Sequence, residues 1–144
     1  MYVEPQELRT IQWEPTSFCN ANCIGCPRTD PDTMLTRPHI AALQRHATEQ
    51  ESNAFVLSVT DERLKKLHEI VYNGDIGDAM MHPTIDDIII EIDKKRPRMV
   101  QHIHTNGGGA WYEKFKKIAQ HVDGDLTKNI SVSYTHLRAH ETRG

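Results

Sequence analysis

The spacing of apolar residues predicts two amphipathic helices in the second half of the chain. Residues 84–95 are predicted to be helical because their isoleucines recur at i, i+3, i+4 and i+7, the spacing of one buried helical face: Ile85, Ile88, Ile89 and Ile92. A later helix is predicted to have its apolar side formed by Trp111, Phe115, Ile118, Ala119 and Val122.

Short runs of β-branched and apolar residues alternate with these helices and predict strands. Such runs occupy residues 8–16, 69–72 and 99–105, and another strand is predicted to start near Ile130. Strand, loop and helix repeated three times is the pattern of a parallel α/β sheet. No domain boundary is evident within residues 1–131.

The first half of the chain carries weaker signals. A short helix is predicted from Pro38 to about Gln50, with proline near its start. Residues 51–60 are ambiguous. A further helix is predicted over residues 60–67, because Thr60 is a candidate cap, acidic residues come early and basic residues come late.

Composition indicates one soluble globular domain. The chain has 144 residues, 38% of them hydrophobic, with 17 basic and 20 acidic side chains. No apolar run reaches membrane-spanning length, and the first residues lack the regions of a signal peptide, so we expect a cytoplasmic protein without membrane partners. The near-neutral charge argues against nucleic-acid binding driven by phosphate neutralisation, although it leaves a small local patch open.

The end of the chain resembles a sequence of non-biological origin. Residues 132–142 match, without a gap, one reading frame of a transposase-based sequencing adapter joined to its mosaic end. The alternative is a polar C-terminus that happens to contain two histidines. We therefore predict a natural part, residues 1–131, and a non-native tail, residues 132–144. The underlying nucleotide read should show adapter sequence from about codon 132, and unrelated codons there would refute this interpretation.

The three cysteines are the strongest chemical signal. Cys19, Cys23 and Cys26 lie on one predicted loop after the first strand, and an odd number of clustered cysteines indicates a shared metal rather than disulfides. Three thiolates can ligate three irons of a [4Fe-4S] cluster and leave the fourth iron open. The alternative is a structural zinc site with His39 or His82 as its fourth ligand.

Two glycine-rich segments follow the next two predicted strands. These are residues 74–78 and 105–107, and the carboxyl ends of parallel strands meet at one edge of a sheet. Reactive groups collect at that edge in parallel α/β folds, because loops there vary without disturbing the core. We therefore expect the cysteine loop and both glycine-rich segments to lie together.

These segments resemble the radical S-adenosylmethionine (SAM) enzymes. Residues 14–28 carry the C-x3-C-x2-C signature of that superfamily's cluster loop, and residues 74–83 and 104–108 resemble its second and third strand ends, in the right order. The likeness covers about residues 8–131. It is closest to the branch whose members often bear a second cluster-binding C-terminal extension, the SPASM type.

The resemblance implies a fold and a set of cofactors. The chain would be the N-terminal part, about three to four βα units, of a partial (βα)6 TIM-like barrel, truncated at its C-terminal side. Cys19, Cys23 and Cys26 would hold a [4Fe-4S] cluster. SAM would bind the open iron and be cleaved reductively to a 5′-deoxyadenosyl radical that abstracts hydrogen from a substrate.

The resemblance also implies roles for residues at the other two strand ends. Gly77 and Asp78 match positions that meet the methionyl amino group of SAM, and Thr105 and Asn106 match positions beside the SAM pocket. A reductant such as flavodoxin or ferredoxin would be a partner, and the unidentified substrate could be a peptide, a protein or a nucleoside. The alternative function is a small zinc- or iron-sulfur-binding module with a structural or electron-transfer role.

Overall fold

Four parallel strands and three helices make up the described part of the chain. The computed structural model describes residues 4–21, 23, 26, 44–73, 76–108, 111–122 and 129–134. In chain order the elements are β1 (Thr10–Trp13), α1 (Glu49–Val59), β2 (Glu69–Tyr72), α2 (Ile85–Lys95), β3 (Val100–Thr105), α3 (Tyr112–Val122) and β4 (Asn129–Tyr134). Short 3₁₀ turns occupy Pro5–Glu7 and Ala79–Met81.

The sheet has the order β1-β2-β3-β4, and every neighbouring pair is parallel. Because parallel crossovers are right-handed, consecutive connections in this order put the helices on the same face of the sheet. This confirms the predicted parallel α/β sheet. The predicted strands at residues 69–72 and 99–105, the strand start near Ile130 and the two amphipathic helices of the second half are all confirmed.

The core lies between this helical face and the strands. Ile70 and Ile103 pack with the isoleucine stripe of α2 in one core cluster, and all of these side chains are buried. Burying a side chain of this size stabilises the fold by about 1.5–3 kcal/mol. Acidic residues in the first turn of α2 and lysines in its last turn complement the helix dipole.

The opposite face of the sheet carries a polar row that crosses all four strands. The Thr10 hydroxyl donates to Glu69 Oε2 at 2.7 Å, and His102 lies between Glu69 Oε1 at 3.2 Å and Ser131 Oγ at 2.5 Å. His104 is two residues from His102 on the same strand, so both side chains belong to this face. No described helix covers the row.

Helix α1 starts later than the sequence suggests. Residues 44–48 are not helical, and the helix begins at Glu49. Thr48 and Glu51 form a reciprocal capping box, in which the Thr48 hydroxyl accepts from the Glu51 N–H and the Glu51 carboxylate accepts from the Thr48 N–H. The predicted helix from Pro38 to Gln50 is therefore wrong over residues 44–48, and residues 38–43 lie outside the described residues. The ambiguous residues 51–60 belong mainly to α1.

The helix predicted over residues 60–67 is absent, and a distant arginine ties this segment to the end of α2. Arg96, which caps the end of α2, donates to the carbonyl oxygens of Val59, Leu64 and Leu67 at 2.9, 3.3 and 2.7 Å. Leu64 and Leu67 each donate to the carbonyl three residues earlier, at 3.0 Å, which closes two separate turns. Residues 61–67 form successive turns instead.

The fourth strand crosses the predicted boundary after residue 131. Val132, Ser133 and Tyr134 pair with Ile103, His104 and Thr105 in the same parallel register as the residues before them. Backbone ladder bonds do not depend on side-chain identity, so this pairing is compatible with either origin of the tail. None of the described helices is long and apolar enough to cross a membrane.

Candidate functional site

Residues 15–17 and 45–47 pair with each other at the base of the loop that follows β1, and we call this pair of segments the neck. Ser17 N–H donates to the Arg45 carbonyl at 3.0 Å, and Ala47 N–H donates to the Pro15 carbonyl at 2.7 Å. Between these bonds, Thr16 pairs with His46 in an isolated antiparallel bridge, and the Thr16 hydroxyl lies 2.8 Å from His46 Nδ1. The chain that carries the three cysteines therefore starts and ends beside the carboxyl end of β1.

The loop after β2 packs against this neck without any gap. Gly77 is buried, and a Cβ atom at this position would lie 1.9 Å from the Thr16 carbonyl oxygen. Glu14 secures the contact, because its Oε1 accepts hydrogen bonds from the N–H groups of Ile76 and Gly77 at 2.7 and 2.9 Å. Glycine is required here by the close approach of two backbones.

Asp78 connects the second loop to the third. Its carboxylate is almost fully buried and accepts from the Thr105 hydroxyl at 2.8 and 3.0 Å, from Asn106 N–H at 2.7 Å and from Met80 N–H at 2.9 Å. Its own N–H donates to the Phe18 carbonyl at 2.8 Å. A buried carboxylate is tolerated when donors occupy its lone pairs, as they do here.

Asn106 connects the third loop back to the cysteines. Its side-chain Nδ2 lies 3.3 Å from Cys19 Sγ and 2.9 Å from Asn20 Oδ1. The turn that follows depends on Gly107, whose φ of 67° lies in the left-handed region. All three strand ends are thus joined by hydrogen bonds at one edge of the sheet.

The three cysteines are outside any disulfide and have intermediate exposure. Cys19 Sγ accepts from Ala21 N–H at 3.4 Å as well as from Asn106, and Cys26 N–H donates to the Cys23 carbonyl at 3.3 Å. Within the described residues, no group of three His, Cys, Asp or Glu side chains is gathered closely enough to hold a metal ion. Three cysteine sulfurs are suitable donors for an iron-sulfur cluster. In the described residues they are not gathered into a set that could ligate one metal ion.

A group of basic side chains lies behind the second loop. Lys114 on α3 donates to the carbonyl oxygens of Met80 and His82 at 2.9 and 2.5 Å. Burial lowers the pKa of Lys114, although Asp86 and Asp78 oppose this effect. Burial also lowers the pKa of His82 and of His46, whose rings make an edge-on contact. The lowered pKa values favour neutral imidazole rings at His46 and His82, next to the half-buried ammonium of Lys114.

His82 is already engaged by the backbone. Its Nε2 lies 3.0 Å from the Ala47 carbonyl, and its Nδ1 lies 3.4 Å from Thr84 N–H. This pattern fits a neutral ring that donates from Nε2 and accepts at Nδ1. Zinc binding by His82 would require at least one of these bonds to break, and His39 lies outside the described residues.

The structure brings together Cys19, Gly77, Asp78, Thr105 and Asn106, as the sequence predicts. Each of the four predicted SAM contacts has protein partners, and direct contact with SAM stays a prediction. Sequence reasoning missed Glu14, Asn20 and Lys114. Asn20 lies inside the cysteine motif and could have been singled out as a polar neighbour of the thiols, and Glu14 lies five residues before that motif, whereas no local signal marks Lys114.

Comparisons of the chain with protein families, with curated proteins and with solved structures find no match. The assignment of a function therefore depends on the residues of the site and on their arrangement.

Proposed function

We propose that the chain is the N-terminal part of a radical SAM enzyme core, built as a partial (βα)6 barrel. The observation that carries the proposal is the meeting of three motif segments that are distant in sequence. Cys19 and Asn106 are 87 positions apart and hydrogen-bonded, and Asp78 and Thr105 are 27 positions apart and hydrogen-bonded. The same three segments carry the resemblance to radical SAM enzymes.

The donor set fits a [4Fe-4S] cluster. Three partly exposed cysteines outside any disulfide follow one parallel strand, and two N–H groups point at the sulfur of Cys19. Thiolate ligands and N–H donors to their sulfurs are the usual surroundings of iron-sulfur clusters. The proposal includes a movement of Cys23 and Cys26 toward Cys19, since metal binding commonly completes the folding of its own site.

When bound, the cluster and SAM would supply the reductive cleavage that yields a 5′-deoxyadenosyl radical for hydrogen abstraction. The chain's own task is to hold and orient. Cys19, Cys23 and Cys26 hold the metal, and Gly77 lets the second loop close against the first. Asp78 ties Thr105 and Asn106 to that loop. Positioning of this kind is what keeps reacting groups in productive geometry.

The role of Asp78 follows from its hydrogen bonds. Both carboxylate oxygens already accept from protein donors, and the side chain is 2% exposed. We therefore assign Asp78 to holding the three loops in register. The substrate remains a peptide, a protein or a nucleoside in this proposal, with flavodoxin or ferredoxin as the reductant.

The test is anaerobic reconstitution of the chain with iron and sulfide, followed by reduction with dithionite in the presence of SAM. We expect about four irons per chain, a broad brown absorption and released 5′-deoxyadenosine. Single Cys19→Ser, Cys23→Ser and Cys26→Ser variants should lose the absorption. Thr48→Ala is the matched control, because it weakens the α1 cap by about 1 kcal/mol without touching the site.

Two results would overturn the proposal. Binding of zinc in place of iron would indicate a structural zinc module. A stable cluster without any 5′-deoxyadenosine would indicate an electron-transfer module.

A further inference from the structure

The amide of Asn106 is aimed at the sulfur of Cys19. The side chain is 7% exposed, and its two N–H bonds have two acceptors, Cys19 Sγ at 3.3 Å and Asn20 Oδ1 at 2.9 Å. Donor-to-sulfur distances of this size are within the range of N–H···S hydrogen bonds. Asn106 therefore links the third strand end to a proposed metal ligand rather than to open solvent.

The orientation of this amide is determined by its neighbours. Asn106 Oδ1 accepts from Gly108 N–H at 2.6 Å, and the Asn106 backbone N–H donates to Asp78 Oδ2 at 2.7 Å. A flipped amide would face its NH₂ group toward Gly108 N–H and its oxygen toward both Cys19 Sγ and Asn20 Oδ1. That arrangement would put donor against donor and acceptor against acceptor, so the network selects the orientation with Nδ2 on the sulfur.

Because an iron-sulfur cluster changes charge when it is reduced, a hydrogen bond to one of its ligand sulfurs affects its reduction potential. Reduction adds an electron to the cluster and increases the negative charge on its ligand sulfurs. A hydrogen-bond donor stabilises the more negative state more strongly, and hydrogen bonds to the sulfurs are among the factors that set cluster potentials. Removing the donor should therefore make the cluster harder to reduce.

We propose that Asn106 is a positioning residue that raises the reduction potential of the cluster by donating a hydrogen bond to the Cys19 sulfur. This inference rests on the proposed function, because it needs a cluster at Cys19. It also assigns a role to the buried Asp78 carboxylate. Asp78 holds the backbone of Asn106, and so holds the donor at the sulfur.

Two variants separate the donor from the rest of the side chain. Asn106→Asp keeps an oxygen for Gly108 N–H and replaces the donor with an acceptor. Asn106→Ala removes the side chain without adding charge. Both keep the backbone N–H that bonds to Asp78, which preserves the main link between the loops. Asn53→Ala makes the same change on the exposed surface of α1 and serves as the control.

The measurement is the midpoint potential of the reconstituted cluster, by anaerobic redox titration followed by electron paramagnetic resonance. At a fixed solution potential we expect about a tenfold lower ratio of reduced to oxidised cluster in Asn106→Ala, a shift of about 59 mV for one electron. Asn106→Asp should shift further in the same direction because it adds a negative charge. Asn53→Ala should match the wild-type potential, and all proteins should contain similar amounts of iron.

Several outcomes would overturn the inference. Unchanged potentials in both Asn106 variants, with full cluster content, would do so while leaving the proposed function intact. Loss of the cluster from both variants, but not from Asn53→Ala, would assign Asn106 to retaining Cys19 rather than to setting the potential. A wild-type chain that takes up no cluster would overturn the proposed function and this inference with it.

Discussion

The middle of the sheet and the carboxyl ends of its strands are both buried, but by different physical means. In the middle, Ile70 and Ile103 pack against the isoleucines of α2, and the contacts have no preferred direction. At the strand ends, Asp78, Thr105 and Asn106 are also nearly inaccessible, yet they are held by directed hydrogen bonds. Burial alone therefore does not distinguish an apolar core from a hydrogen-bonded polar network. Apolar packing tolerates changes of shape that conserve volume, whereas a buried polar network tolerates few changes of charge.

The largest effect is expected in the apolar middle. Ile89→Ala should lower the free energy of unfolding by about 2–5 kcal/mol, because Ile89 is fully buried and its removal leaves a cavity. Ile89→Leu should cost less than about 1.5 kcal/mol, since it conserves volume. Urea unfolding followed by circular dichroism measures both. Equal losses in the two variants would contradict the non-directional packing attributed to this region.

An isosteric change at the strand ends should cost nearly as much. Asp78→Asn is expected to lower the free energy of unfolding by about 1–3 kcal/mol, because one buried donor loses its acceptor and faces an NH₂ group. Asp87→Asn makes the same change at a side chain that is 62% exposed and should cost under about 1 kcal/mol. If the two variants unfold at the same urea concentration, the network is not a stabilising feature.

A methyl group at Gly77 should separate the loop after β2 from the neck. Gly77→Ala places a carbon 1.9 Å from the Thr16 carbonyl oxygen, so the backbones must separate, at a cost of about 1–3 kcal/mol. Gly108→Ala is the milder comparison, since its Cβ would lie 3.0 Å from the Asn106 side-chain oxygen rather than against a backbone. Amide exchange at Ile76 and Gly77, whose N–H groups bond to Glu14, reports the separation. Unchanged protection there would show that the loops can adapt.

The smallest effect concerns pH and the histidines behind the second loop. Burial lowers the pKa of His82 in the folded state, so as pH falls below about 6.5 the unfolded state binds a proton before the folded state does. The free energy of unfolding should therefore decrease between about pH 7.5 and 5.5. Neighbouring His46, whose pKa is also lowered, should add to the decrease.

Unfolding at several pH values checks this dependence. His82→Gln should flatten it, and His68→Gln, at an exposed position, should leave the slope unchanged. If the free energy of unfolding changes equally with pH in the wild type and in both variants, the pH dependence arises from groups other than His82.

Several elements were predictable because one local signal was strong enough. The isoleucine stripe of α2 and the runs that form β2 and β3 have a periodicity that tertiary contacts reinforce. The helix predicted over residues 60–67 is wrong, because that segment forms turns whose carbonyls accept from Arg96, 29 to 37 positions away, a tertiary contact that no local signal shows. The Thr48–Glu51 capping box marks the start of α1 at Glu49, a local signal that the prediction of a helix running through residues 44–50 passed over.

The sequence by itself determined the parallel α/β pattern, the core face of α2 and the three segments that carry the candidate chemistry, since each is encoded in residue type and spacing. Only the tertiary structure decided how those segments meet. In the folded chain the Asp78 carboxylate accepts hydrogen bonds from Thr105 and Asn106. The Thr16 carbonyl lies against Gly77, and the Asn106 amide donates to Cys19. The physical reason is that spacing along a chain specifies which face a residue occupies, while hydrogen-bond partners depend on groups that only folding brings within about 3 Å of each other.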